Sequence, residues 1–352
     1  MARYSAIVAG ATGVVGRGLT EALAADSDWE VVALARKPLD IAGARFMSID
    51  LTSETESRQI LATLTSTTHI FYAARFDRAA GKAESIDINL GMLRHLVEAI
   101  EPHAPRLQYI HLVEGTKWYG SHLGPFRTPA REDDPRNVAA NFYYAQQDYL
   151  YLSERQRRAS WTWSASRPHA ICHAEPNTPR NLVLVIAAYA LICREMGLPL
   201  SFPGTTANYR ALYQCTSVDH LVASIRWMAG ERICSNQAFN IINGDYIRWE
   251  NLWPSFAKYF GMEMGPVRTI RLSDAMADKA PVWEEIVAKH APRATSFERL
   301  ALWSYGDYVF TPDWDIMSDM TKARTFGFHR AVDTEAEFIR YFDRFRASRI
   351  LP

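Results

Sequence analysis

The sequence predicts an α/β protein: a Rossmann-type, doubly wound parallel sheet with a smaller, mostly helical C-terminal substrate lobe. Three observations support this fold class. Short apolar segments alternate with helical spacing through the first half of the chain, a glycine-rich turn follows the first apolar segment, and the strand-like segments are apolar on both faces. Continuously apolar strands are typical of a parallel sheet that is covered by helices on both sides.

The predicted elements follow one another in βαβ fashion. The strands are Tyr4–Ala9, Glu30–Ala35, Arg45–Ile49, His69–Ala73 and Leu107–Val113, and the helices are Gly16–Ala25, Ser57–Leu64 and Ile88–Ile100. After about residue 175 this alternation ends, although a strand-like piece near Ala238–Ile242 and a helix over Trp249–Phe260 remain. We therefore expect residues 1–175 to form a dinucleotide-binding domain to which later segments contribute, and residues 176–352 to form a lobe packed on it rather than an independent domain.

Composition limits the partners of the protein. The 352 residues include 39 Lys plus Arg and 39 Asp plus Glu, and this zero net charge argues against nucleic acid as the main partner. The four cysteines lack a paired spacing, which favours free thiols in a reducing compartment. The N-terminus has no signal-peptide pattern, and the most apolar segment, Leu182–Cys193, is too short to span a bilayer. We expect a cytoplasmic protein without a membrane partner; a homodimer is one assembly that the sequence allows.

The glycine turn after the first strand predicts a dinucleotide site. Glycines let the backbone approach a pyrophosphate closely, and the N-terminus of the following helix favours its negative charge. The strand–turn–helix context makes this motif specific. The expected cofactor contacts in the turn are Gly10, Thr12, Gly13, Val14, Val15 and Gly16.

The end of the second predicted strand bears on the choice of cofactor. Arg36 and Lys37 stand where NAD-selective proteins usually have an acid, and Arg36 could pair with a 2′-phosphate. NADP(H) is therefore favoured over NAD(H), the alternative being that both cations are simply solvated. Asp50 and Leu51, after the third strand, would suit the adenine edge.

The GxxGxxG spacing of Gly10, Gly13 and Gly16 resembles the extended short-chain dehydrogenases/reductases. The usual catalytic dyad of those enzymes, Tyr-x-x-x-Lys on one helix, is absent. Four residues beyond Tyr143 stands Gln147, and four beyond Tyr144 stands Asp148. A lysine does follow the fifth strand, at Lys117. Ligands of parallel sheets bind beyond the carboxyl ends of the strands, so this ammonium is expected at the right edge of the sheet.

These segments resemble the signatures of the progesterone 5β-reductase/iridoid synthase family (PRISE), an atypical branch of the extended short-chain dehydrogenases/reductases. The matching segments are Gly115–Tyr119, Gly124–Phe126 and Asn141–Asp148. The resemblance implies that Tyr143 is the catalytic phenol and Lys117 its partner. Two residues depart from the family pattern: Gln147 replaces an acid and Trp118 replaces a histidine.

The chemistry that the resemblance implies is NADPH-dependent 1,4-reduction of a small apolar enone or enal. Hydride reaches the β-carbon, and Tyr143 with Lys117 stabilises the enolate. Alternative functions are a carbonyl reductase, a sugar-nucleotide epimerase and a non-catalytic NADP(H) sensor, and no metal is expected. Further expected cofactor contacts are Ala73, Val113, Pro168, His169 and Ile171. The expected substrate contacts are Trp118, Tyr119, Phe142 and Tyr305, although such aromatic residues also build cores.

Overall fold

The strands of the protein build one parallel sheet and one small two-stranded sheet. The computed structural model describes residues 2–77, 84–157, 160–175, 178, 180–290, 293 and 296–352. The strands are β1 (Tyr4–Ala9), β2 (Trp29–Ala35), β3 (Ala44–Ser48), β4 (His69–Tyr72), β5 (Tyr109–Val113), β6 (Thr162–Arg167), β7 (Ile171–Cys172), β8 (Thr216–Ser217) and β9 (Gln237–Asn240). Across these residues the large sheet has seven parallel strands in the order β3-β2-β1-β4-β5-β6-β9, and β7 pairs with β8. The predicted fold class is confirmed.

Helices cover the sheet and form the C-terminal part. The α-helices are α1 (Val14–Ala24), α2 (Glu54–Leu61), α3 (Ile86–Ile100), α4 (Phe142–Arg157), α5 (Leu182–Glu195), α6 (Thr206–Arg210), α7 (Val218–Gly230), α8 (Trp249–Phe260), α9 (Leu272–Ala275), α10 (Ala280–His290), α11 (Phe297–Leu300), α12 (Trp303–Phe310), α13 (Thr321–Thr325) and α14 (Thr334–Ala347). Among the described residues, two 3₁₀ helices span Thr116–Tyr119 and Arg232–Cys234. None of the described helices is long and apolar enough to cross a membrane.

Alternate residues of the central strands pack into two separate hydrophobic cores, because successive side chains of a strand point to opposite faces. On β1, Ile7 packs with α2 and α3 on one face, whereas Ala6 and Val8 pack with α1 and α7 on the other. Sequence order reverses at β1, which pairs with both β2 and β4. A crevice at such a switch point is where open parallel sheets bind their ligands.

The C-terminal helices are organised around α5. Its segment Leu182–Cys193, the most apolar in the sequence, is buried on every side, so it serves as a core helix. Helices α8, α10, α12 and α14 pack around it. The boundary expected at residues 175 and 176 stays a prediction, and residues 176 and 177 lie outside the described part of the chain.

Candidate active site

The glycine turn between β1 and α1 is closely packed. Gly10 has φ +82°, and a Cβ there would lie 2.8 Å from the carbonyl oxygen of Ala73. A Cβ on Gly16 would lie 2.2 Å from the carbonyl oxygen of Gly10. Only glycine satisfies both positions without moving the backbone. The turn therefore brings the start of α1 directly against the end of β4.

The N-terminus of α1 presents backbone donors. Gly13 is its N-cap and supplies no side-chain cap, and the first turn contains no acidic residue. The first intrahelical hydrogen bond runs from the N–H of Arg17 to Gly13, so the N–H groups of Val14, Val15 and Gly16 precede it. With the positive end of the helix dipole, this donor set fits a pyrophosphate. Thr12 is exposed beside it.

Arg36 and Lys37 are exposed at the carboxyl end of β2. Asp50, after β3, accepts hydrogen bonds from the Thr52 N–H at 2.9 Å and from its hydroxyl at 2.8 Å. These bonds, with a smaller contribution from the charge of Arg36, lower the pKa of Asp50. Asp50 thus fixes the turn beside Arg36, and Leu51 is buried behind it. The adenine contact predicted for Asp50 and Leu51 stays a prediction.

Asn141 joins the two signature segments. Its side-chain amide donates to the carbonyl oxygen of Lys117 at 2.9 Å and accepts from the N–H of Tyr143 at 3.0 Å. The start of α4 and the 3₁₀ turn after β5 are therefore held together by one side chain. The sequence analysis predicted that both segments belong to the site. It gave Asn141 no role, because the spacing of residues along the chain does not show which hydrogen bonds a side chain makes.

The hydroxyl of Tyr143 lies beside Gly115. A Cβ on Gly115 would be 3.5 Å from that hydroxyl oxygen, in ordinary van der Waals contact with it. Tyr143 is 7% exposed, so its ring is buried and its hydroxyl lies against the backbone at Gly115. Burial raises the pKa of Tyr143 to about 12, although the charge of Arg75 acts to lower it. At neutral pH this is a protonated phenol, which can donate a hydrogen bond.

Lys117 is paired with an acid that the sequence analysis missed. Its Nζ donates to Glu84 Oε1 at 2.7 Å, and the same carboxylate oxygen accepts from Arg75. Burial raises the pKa of Glu84, but the hydrogen bond from Lys117 and the nearby positive charges outweigh it and lower the pKa. The sequence analysis also gave Arg75 no role. Arg75 follows β4 at the carboxyl edge of the sheet, and this position is the sequence feature that could have identified it.

His169 and Pro168 follow β6. The Pro168 carbonyl accepts from the N–H of Thr116 at 3.3 Å, and the Thr116 hydroxyl lies 2.7 Å from Nδ1 of His169. Burial lowers the pKa of His169 to about 3, so its ring is neutral at physiological pH. Val113 ends β5, and Ile171 pairs with Thr216 in the small sheet. The cofactor roles of Ala73, Val113, Pro168, His169 and Ile171 stay predictions.

A cleft of about 630 Å³ opens next to this edge. Its lining includes His122 and His169 from the sheet side and Tyr308, Phe310, Trp314 and Ile316 from the C-terminal part. The charges of Glu84 and Arg75 act on Tyr308, and those of Lys117 and Glu84 act on His122, so the cleft adjoins the Lys117 region. Tyr308 lines the cleft, with Tyr305 stacked against it at 6.2 Å.

The other predicted substrate residues lie in a separate cluster. Phe142 and Tyr143 have ring centroids 4.4 Å apart, and the same cluster includes Trp118 and Tyr119. The guanidinium of Arg167 lies 3.7 Å from the Trp118 ring centroid and donates to the Tyr119 hydroxyl at 3.0 Å. Trp118 and Tyr119 therefore enclose a buried cation, and the substrate roles of Trp118, Tyr119, Phe142 and Tyr305 stay predictions.

The switch-point crevice, the glycine turn and the phenol at the sheet edge define a dinucleotide-binding protein of the extended short-chain dehydrogenase/reductase class. Solved structures agree on the fold. UDP-glucose 4-epimerase of Thermotoga maritima superposes with a TM-score of 0.69 at 16% identity, covering 98% of this chain and 99% of that one. A putative epimerase of Burkholderia cenocepacia gives 0.70 at 15% identity, covering 98% and 99%.

The particular family follows from sequence comparison. The model of the PRISE-like Rossmann-fold domain matches residues 6–352, and the chain belongs to this family. An (S)-8-oxocitronellyl enol synthase of Nepeta racemosa is 33% identical, covering 99% of this chain and 93% of that protein. The 3-oxo-Δ(4,5)-steroid 5β-reductase of Arabidopsis thaliana is 31% identical with the same coverage. The resemblance drawn from the motifs is confirmed.

Proposed function

We propose that this protein is an NADPH-dependent reductase of activated C=C bonds in small apolar enones or enals. The observation that carries the proposal is the buried Tyr143 side chain, whose hydroxyl lies beside Gly115 at the carboxyl edge of the sheet. The similarity to an enol synthase and to a steroid 5β-reductase supports the same chemistry.

Tyr143 would act as a hydrogen-bond donor to the substrate carbonyl. When bound, NADPH supplies the hydride that adds to the β-carbon of the substrate. Negative charge then develops on the carbonyl oxygen, and a donor fixed at that point stabilises the transition state more than the ground state. Because burial keeps the pKa of Tyr143 near 12, the phenol remains protonated and donates without having to give up its proton.

The residues that line the cleft indicate which class of substrate it can bind. The part contributed by the C-terminal helices and loops includes four aromatic side chains and two charged ones: Tyr213, Tyr308, Phe310, Trp314, Arg271 and Asp307. Its volume of about 630 Å³ lies within the usual range for small-molecule sites. Such a lining suits an apolar carbon skeleton with few polar groups.

The preference for NADPH over NADH rests on Arg36. This cation is exposed at the carboxyl end of β2 and has no ion-pair partner within the described residues. We expect Arg36→Ala to weaken NADPH binding at least tenfold while leaving NADH binding nearly unchanged. Arg45→Ala, which removes an exposed cation within β3, is the matched control. Equal losses for both cofactors would contradict the role in 2′-phosphate binding.

The decisive experiment follows NADPH oxidation with a panel of enones and enals, and identifies products by mass spectrometry and NMR. Reduction of C=C with the carbonyl retained is the expected result. Reduction of the carbonyl would instead indicate a ketone reductase. Tight NADPH binding without turnover of any substrate would favour a sensor.

Variants test the residues of the site. Tyr143→Phe is expected to lower kcat by on the order of 10²–10³, the usual effect of removing one oxyanion donor. Lys117→Met should lower kcat with NADPH affinity nearly unchanged. Tyr151→Phe, on the exposed face of α4, is the matched control and should keep full activity. Full activity in both site variants would refute the assignment. The cytoplasmic location and a homodimer also stay predictions.

A further inference from the structure

Two cations of the site share one carboxylate oxygen. Glu84 Oε1 accepts from Lys117 Nζ at 2.7 Å and from the Arg75 guanidinium. The three side chains are between 23% and 28% exposed, so they form a half-buried cluster. Partial burial strengthens charge interactions relative to those on an open surface.

The segment that carries Arg75 is held firmly after β4. The N–H of the next residue, Phe76, donates to the side-chain amide oxygen of Asn89 at 2.8 Å, and the carbonyl of Phe76 accepts from that amide at 3.1 Å. Asn89 is fully buried on α3. The carboxylate of Asp77 lies 2.8 Å from Arg75 Nε. The guanidinium therefore forms ion pairs with Asp77 on one side and with Glu84 on the other.

Arg75 lies close to the aromatic pair that contains Tyr143, because Phe142 packs against the Tyr143 ring at 4.4 Å between centroids. Its guanidinium lies 5.6 Å from the ring centroid of Phe142, the residue next to the phenol. Burial raises the pKa of the Tyr143 phenol, and the charge of Arg75 is the largest one opposing that rise; the charge of Glu84 reinforces it. Lys117, which the family signature pairs with the phenol, directs its ammonium at Glu84 instead.

We propose that Arg75 is a positioning residue for the reduction, acting through Tyr143. Held by Glu84 and Asp77, its positive charge strengthens the phenol as a donor to the enolate oxygen. Glu84 has the opposite effect, because its negative charge disfavours a second anion nearby. This inference rests on the proposed function, since it concerns the same phenol. The physical basis is that a fixed cation beside a donor favours negative charge on the oxygen that the donor binds.

The test uses 4-nitrophenol, whose phenolate oxygen mimics the enolate oxygen of the substrate. The phenolate absorbs at a wavelength distinct from that of the neutral phenol, so its binding can be followed directly. The protein loaded with NADP⁺ is titrated with the probe at fixed pH, and the affinity for the phenolate is measured. Arg75→Gln should bind the phenolate about tenfold more weakly and lower kcat by a similar factor, with KM for NADPH unchanged. Arg75→Lys should recover most of both losses. Arg94→Gln, an exposed cation on α3, is the matched control.

Glu84→Gln is expected to change the phenolate affinity in the opposite direction to Arg75→Gln. It removes the opposing negative charge and leaves both cations, so phenolate affinity should rise several-fold. Wild-type phenolate affinity in Arg75→Gln would overturn the inference, whatever Glu84→Gln shows. If Arg75→Gln does not fold, the absence of a rise in Glu84→Gln alone overturns it. If the phenolate responds as expected but no enone is reduced by the wild type, the proposed function fails and the electrostatic role of Arg75 stands.

Discussion

Buried histidines make the stability of this protein sensitive to mild acid. Five of them have pKa values that burial lowers to about 3 or 4: His69, His111, His169, His173 and His220. All five are at most 7% exposed. Because the folded pKa values lie below the unfolded value of about 6.5, the unfolded chain binds protons first as the pH falls. The associated stability is fully present above pH 6.5 and is lost as the pH falls towards 4.

The magnitude follows from the size of the pH step. At pH 5.5, one unit below the unfolded pKa, each histidine costs about 1.4 kcal/mol of the free energy of unfolding. Five together give about 7 kcal/mol, a large share of the typical 5–15 kcal/mol. Burial raises the pKa values of Glu114 and Glu132, and these two carboxyls act in the opposite direction. Burial also lowers the pKa of His122, which adds to the loss, so the expected total is on the order of 7 kcal/mol.

Urea denaturation at pH 7.5 and at pH 5.5 measures this loss. His69→Phe tests its origin, because the ring lies among Tyr4, Trp29 and Phe71 and a phenyl group fits that packing. Whatever its own stability at pH 7.5, this variant should show a smaller fall in the free energy of unfolding between the two pH values. The difference from the wild type should be about 1.4 kcal/mol. His103→Gln, at an exposed position, should lose as much as the wild type. A free energy of unfolding that is unchanged between pH 7.5 and 5.5 would refute the reasoning.

The other predictions concern contacts around the site. Asn141→Ala removes the amide that joins the two signature segments, so kcat should fall about tenfold with NADPH affinity retained in a fluorescence titration; unchanged kcat would contradict this role. Gly16→Ala places a Cβ against the carbonyl oxygen of Gly10, so the melting temperature and NADPH affinity should both fall; a variant with both values intact would show that the turn can relax. Arg167→Met leaves the carboxylate of Glu114 buried without its partner and should cost about 3–5 kcal/mol in urea denaturation, whereas a loss under about 1 kcal/mol would show that the pair is unimportant.

Local sequence signals located most of the sheet. The predicted strand Tyr4–Ala9 and helix Trp249–Phe260 have the observed bounds, because a glycine turn and an αL glycine at Gly261 mark their ends. The second predicted helix, Ser57–Leu64, was placed three residues too late. Ser53 caps the actual helix by accepting from the N–H of Glu56, a signal that hydrophobic spacing alone does not contain.

The parts that sequence could not predict depend on contacts between distant residues. Glu84 and Lys117 are 33 residues apart, and no local pattern links them. The short helices of the C-terminal part are fixed by side chains of other segments: for example, the carboxylate of Asp307 accepts from the N–H groups of Leu272 and Ser273 at the start of α9. Propensity carries little information for a four-residue helix, because tertiary contacts supply its stability.

The two departures from the family signature meet at one buried cation. The Arg167 guanidinium lies 3.7 Å from the ring centroid of Trp118 and donates to the side-chain oxygen of Gln147 at 3.2 Å. Its charge is already balanced by Glu114, whose carboxylate it contacts at 2.9 Å. An acid at position 147 would add a second negative charge next to a single buried guanidinium, whereas glutamine keeps the hydrogen bond without that charge. The aromatic face of Trp118 adds a cation–π contact where a histidine could be protonated and repel the arginine. Trp118 and Gln147 therefore contact the same guanidinium, so the two departures that the resemblance implies lie at one place in the structure.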